Sequence, residues 1–203
     1  GSLTTQYGSY NTWLNTLSGT ARYGKVSALA SVSYDRTDGN LEGLDFKQWS
    51  GYAKLGYDFS SHWKGYADYT LMNFKAHDPI YPTLSDPTST DVYYQNITRG
   101  EASAVISDSY DTTDGVGRIY YSYGNHFIDD PRHFHSVDDR LGVMLYQNVR
   151  PWQGAAATVG FDFNTYSGKI PMSGGRPVGP DNLGTFERKS ITEYSPYVTY
   201  SQA

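Results

Sequence analysis

The stretch 46–75, FKQWSGYAKLGYDFSSHWKGYADYTLMNFK, repeats one pattern in two directions about a short turn. In its first arm Trp49, Gly51, Ala53, Leu55, Tyr57 and Phe59 share one parity, while Gln48, Ser50, Tyr52, Lys54 and Asp58 share the other. That is the two-residue period of a strand. The second arm sets Trp63, Gly65, Ala67, Tyr69 and Leu71 against Lys64, Tyr66, Asp68 and Thr70, and the arms meet at Ser60, Ser61 and His62. Each arm has about 12 residues, which at roughly 3.3 Å per residue and a tilt of about 40° spans some 25 to 30 Å, near the apolar band of a membrane barrel. Soluble strands are usually about half that.

One face of this hairpin is small apolar or aromatic and the other carries Lys, Asp, Gln and Ser. A lipid-facing wall backed by a wet lumen has this composition. A soluble sandwich or jelly roll with one solvated face is the competing architecture. The chain has 20 Tyr and 4 Trp against 3 Met and no Cys. Tyr and Trp straddle polar–apolar boundaries, and the lack of Cys excludes a disulfide framework and Cys-ligated metal. A net charge of −5 without a basic run argues against nucleic acid as a partner. No apolar run is long enough for a transmembrane helix, which leaves a barrel open.

The same alternation recurs along the chain. Strands are predicted over 2–10, 12–23, 26–34, the two arms of the hairpin, 92–106, 117–126, 141–149, 155–164 and 190–200. Short turns fall at Gly24, Ser60, Asp114 and Pro151 and longer connections near Gly39, Pro82, Pro131 and Pro177, so the short turns gather at one rim. Outer-membrane barrels have this asymmetry. The polar segments 129–138 and 166–188 are expected to be loops.

The residues Gly8-Ser9-Tyr10-Asn11-Thr12, followed by a strand ending Ser33-Tyr34-Asp35-Arg36-Thr37-Asp38-Gly39, resemble the first barrel strands of TonB-dependent outer-membrane receptors, with Bacteroidetes members closest. Gly184-Thr185-Phe186-Glu187, leading into Tyr194-Ser195-Pro196-Tyr197, resembles their mid-barrel region. The resemblance implies an all-β antiparallel up-and-down meander of about ten long strands, part of a 22-stranded transmembrane barrel. Residues 1–203 would be a single barrel segment, with plug and C-terminal strands absent. Its implied role is to bind and import a scarce ligand (metal chelate, cobalamin, haem or oligosaccharide) in the cell outer membrane. The implied partners are outer-membrane lipid, the ligand, and TonB through the absent plug. A complete small outer-membrane barrel acting as adhesin or enzyme, and a soluble carbohydrate-binding β-domain, are the alternatives. The edges of a ten-strand segment must be hidden, by closure of 2–7 onto 190–200, by a second copy, or by further strands of a receptor.

Six residues are candidate ligand contacts: His126, His133, His135, Phe134, Tyr81 and Tyr166. His133 and His135, flanked by Asp129, Asp130 and Asp138, are the only metal-like grouping, with His126 as third candidate; the spacing fixes no third ligand, so no metal is assigned. No cofactor motif is present. Lys54, Asp68, Arg99, Glu101, Arg118, Arg140 and Asp162 share the lumen parity and read as hydrated ladders rather than an acid–base site. No nucleophile elbow, P-loop, dinucleotide fingerprint or HExxH occurs, so the chain is not expected to be an enzyme.

Overall fold

The computed structural model describes residues 1–79, 92–129, 134–170 and 186–202. Ten strands follow one another: β1 (Ser2–Gly8), β2 (Thr12–Tyr23), β3 (Val26–Thr37), β4 (Phe46–Asp58), β5 (Trp63–Pro79), β6 (Val92–Ser109), β7 (Thr113–Asp129), β8 (Phe134–Val149), β9 (Ala155–Ile170) and β10 (Phe186–Gln202). They form one sheet in sequence order, each strand antiparallel to the next. The predicted meander is therefore present. Among the described residues no helix is long and apolar enough to cross a membrane, a statement that does not bear on barrels.

The sheet does not close. β1 is paired with β2 and β10 with β9, and β1 and β10 are not paired with each other. Closure of the first strand onto the last, one of the three expected ways of hiding the edges, is thus not what this chain adopts.

Apart from an irregularity between Phe186 and Lys189 at the start of β10, register carries the parity faces across the sheet without a slip. Ala28, Leu55, Ala67, Ala104, Ile119, Val143, Phe163 and Tyr194 are successive partners on one face. On the other, Leu29, Lys54, Asp68, Ser103, Tyr120, Gly142, Asn164 and Glu193 form the matching row. One residue of slip would exchange the two sets.

Exposure is inverted relative to a soluble domain. In β3 the apolar Val26, Ala28, Ala30, Val32 and Tyr34 are exposed, while Ser27, Ser31, Ser33 and Asp35 between them are partly covered. Leu55, Ile119 and Val159 are 60%, 51% and 56% exposed, whereas Ser103 is 7% exposed. Among the described residues only Ala155 is a buried hydrophobic. A soluble chain of this length buries a large fraction of its apolar surface.

The strands are longer than predicted. β5, β7 and β8 have 17, 17 and 16 residues. The supposed loop 129–138 is mostly strand, because β7 runs to Asp129 and β8 starts at Phe134. Likewise β9 runs to Ile170, so Tyr166 is a strand residue. These segments mix polar residues with apolar ones such as Phe127, Ile128 and Phe134 on both faces and show no hydrophobic period. Pairing continues there through the backbone ladder and through side-chain contacts such as His135 Nε2 with Asn125 Oδ1 at 2.8 Å; at the same height in β5–β6, Asn73 Nδ2 donates to Asn96 Oδ1 at 2.8 Å and Thr98 Oγ1 at 2.9 Å.

At the short-turn rim, Gly24 takes a φ of 55° as the first central residue of the two-residue hairpin between Tyr23 and Val26. In the next turns, Trp63 Nε1 donates to Tyr110 O–H at 2.9 Å and His62 stacks on Tyr110 at 4.3 Å. Further round the rim, Asp114 accepts from Asn148 Nδ2 at 2.7 Å and from Arg150. These two donors hold its carboxyl below the usual value of 3.8, the Asn148 bond contributing most. A depressed carboxylate stabilises the fold above its unfolded pKa, and that stabilisation disappears as pH falls through the folded value. Protection of the amides at 110–114, measured against their intrinsic exchange rates, is therefore expected to fall below about pH 4 in the natural chain and to change little over that range in Asp114→Asn.

Candidate ligand groove on the polar face

The polar face gathers charge across β5–β9. Ser103 Oγ donates to Asp68 Oδ1 at 2.8 Å, and Arg118 Nη2 donates to Glu101 Oε1 at 2.6 Å. Arg99 Nη2 reaches both carboxylate oxygens of Asp138 at 3.2 Å, and its Nε donates to His126 Nε2 at 3.2 Å. All share one parity; Arg99 and Asp138 meet across the intervening strand β7 over Gly124, where a Cβ would overlap the Asp138 carboxylate.

Arg140 has a different environment. Its Nε and Nη2 donate to Asn164 Oδ1 at 3.1 and 2.8 Å, and the same oxygen accepts from Tyr120 O–H at 2.7 Å. The guanidinium lies 5.0 Å from the Tyr120 ring centre and 4.9 Å from that of Tyr166. Two aromatic rings and an amide oxygen thus fix it, and among the described residues no carboxylate is bonded to it. Glycine makes this possible: Gly142, directly opposite Tyr120, leaves the space the ring fills, and a Cβ there would overlap it.

Thr70, Arg99, Glu101, Ser122, Asp138 and Arg140 line a groove of about 480 Å³ with Tyr166 at its side. Its arginines present planar donor forks and its tyrosine an aromatic surface. That combination suits hydrogen-bonding and stacking on an oxygen-rich or planar ligand.

Of the candidate contacts, Tyr166 stands at the groove and His126 beside it, bonded to Arg99 and 3.5 Å from Asp138 Oδ2. Phe134 opens β8 opposite Ile128 on this same face. His135 does not join them. It pairs with Phe127, one residue out of phase with the His126–Ser136 pair, and so lies on the opposite face. There it meets the Phe127 ring at 6.3 Å, and its Nε2 is 2.8 Å from Asn125 Oδ1. His126 and His135 therefore cannot share a metal, and the Nε2 of His126 is already occupied by a guanidinium N–H that would repel a cation. Among the described residues no group of three His, Cys, Asp or Glu could hold a metal ion. Tyr81 and His133 lie outside the described residues.

Tyr120 and Asn164, which hold the groove's Arg140 in place, were not singled out by sequence. Their signal was parity alone, since both alternate in phase with Arg118, Arg140 and Asp162. Compared with known proteins, the chain matches no family model and no curated sequence.

Proposed function

We propose that this chain is a stretch of the wall of an outer-membrane β-barrel, within a TonB-dependent receptor that binds and imports a scarce ligand. The observation that carries the membrane reading is the position of tryptophan on the exposed apolar face. Trp13 and Trp49 border its upper end and Trp63 its lower end, with Trp152 in the lower turn, and these are all four tryptophans of the chain. Trp49 is paired with Asn73, ten residues along β5 from Trp63. At about 3.3 Å per residue and a tilt of about 40°, the two borders are about 25 Å apart, the height of a barrel's apolar band between its aromatic girdles.

Across β2–β7 the side chains between those borders are Ala, Leu, Ile, Val, Gly and Tyr, while Asn73, Thr98 and Asn125 mark the upper limit; in β8–β10 the polar limit stands lower on the same face, at Asp139, Thr165, Ser167 and Thr192. Unpaired edges are not tolerated in lipid, so β1 and β10 would need neighbouring strands, which the 22-stranded wall of a receptor supplies. The import role rests on the sequence resemblance, supported by the polar groove with its arginines and tyrosine. In this reading lipid meets the apolar face and ligand the polar one. TonB acts through a plug segment, no nucleic acid is involved, and the work is binding and gated passage rather than bond chemistry.

Partitioning into bilayers tests the reading. Tryptophan fluorescence is expected to be quenched by lipids brominated along their acyl chains, and cells carrying residues 1–203 alone are expected to import no ligand. A monodisperse, detergent-free chain whose tryptophans are blind to brominated lipid would overturn it in favour of a soluble carbohydrate-binding domain.

A further inference from the structure

Immediately above the upper tryptophan border, the apolar face carries three cations side by side. Arg36 of β3 is the partner of Lys47 of β4, and Lys47 is the partner of Lys75 of β5. Parity sends all three out of the same face from neighbouring strands about 4.8 Å apart. Like charges directly opposite one another destabilise a sheet, so the arrangement calls for a counter-charge.

Among the described residues no carboxylate makes an ion pair with any of the three, and Asp38, two residues past Arg36 on the same parity, accepts instead from Asn11 Nδ2 at 3.0 Å. Ion pairs are made elsewhere, by Arg22, Arg99, Arg118, Arg150 and Arg188. Asp45, on the same parity just before β4, is engaged by His77 Nδ1 at 2.8 Å. On the opposite side of the cation row stand Tyr34 and Trp49, paired with each other one row closer to the apolar band, and Trp13 is the partner of Arg36 within the cation row. In the membrane reading, the cations thus sit where acyl chains end and headgroups begin.

We propose that Arg36, Lys47 and Lys75 bind the phosphate of a membrane lipid headgroup on the outer wall. The site rests on the membrane reading above. A guanidinium fork and two ammonium groups in a row offer donors to several phosphate oxygens at once. The aromatic border beneath favours a phosphate carrying acyl chains over a free anion, because the chains would lie on the apolar band.

Native mass spectrometry of the chain in zwitterionic detergent, titrated with phosphatidic acid, tests the proposal. The natural chain is expected to retain the lipid, and the triple variant Arg36→Gln, Lys47→Gln, Lys75→Gln to bind it about 100-fold more weakly. Lys54→Gln, on the other face, should leave binding unchanged. Equal affinity in the triple variant, equal loss in Lys54→Gln, or displacement by inorganic phosphate at the same concentration as the lipid would each overturn the site. Quenching by brominated lipid separates the two levels. If the triple variant is still quenched but its phosphatidic acid affinity matches the natural chain, only the phosphate site fails; if the natural chain is not quenched, the membrane reading fails with it.

Discussion

Arginine placed at Leu55, Ile119 or Val143 is expected to block insertion into a bilayer, whereas arginine at Ser31, Thr70 or Ser122 is expected to be accepted. The first three are successive members of one row of the apolar face, through Ala67 and Ala104. That row lies near the middle of the span between Trp63 and the Asn73 row. A guanidinium there loses its hydration to hydrocarbon at a cost of about 2 to 4 kcal/mol near the midplane. Thr70 and Ser122 lie three residues further along their strands, on the opposite face and on either side of Glu101, where water and carboxylates are at hand. Urea titration of chains folded into phosphatidylcholine vesicles reads the difference, with the polar-face variants within about 0.5 kcal/mol of the natural chain. If Leu55→Arg folds as well as the natural chain and becomes more soluble in water, the apolar face does not meet lipid.

Gly142→Ala is expected to destabilise the sheet by about 1 to 3 kcal/mol, the range for forcing an extra methyl into a filled space. The space is the one occupied by the Tyr120 ring, and a Cβ on Gly142 would overlap it. Displacing that ring also disturbs its bond to Asn164 and its stacking on Arg140, so the damage should reach the groove. In a Tyr120→Ala background the glycine substitution should cost nearly nothing. A double-mutant cycle measures this coupling, and additive costs would show that the ring and the glycine do not depend on one another. Gly160 and Tyr197 repeat the arrangement at the β9–β10 pair. The same test can be made there.

Strand identity, order and facing were legible in the sequence because a two-residue period states which side each residue takes. Lys54 and Leu55 needed no structure to be assigned to opposite faces. Where the period failed, so did the reading. His135 and Asp138 were expected in a loop, and Tyr166 at the start of another, because beyond the apolar band both faces mix polar and apolar residues and leave no alternation to follow. Grouping His135 with His126 failed for a related reason: both are histidines near each other in the sheet, but facing depends on the register between β7 and β8, and a single phase step separates them.

By itself, then, the sequence determined an antiparallel β meander, two chemically distinct faces and the positions of the turns, since these follow from local alternation and from turn residues such as Gly24. Only the tertiary structure decided that the sheet stays open and that Arg140 is fixed between Tyr120 and Tyr166. It also decided that Arg36, Lys47 and Lys75 stand abreast. Each of these depends on which residue of one strand lies opposite which residue of another, and that offset is a property of the paired backbones, not of either strand's own pattern.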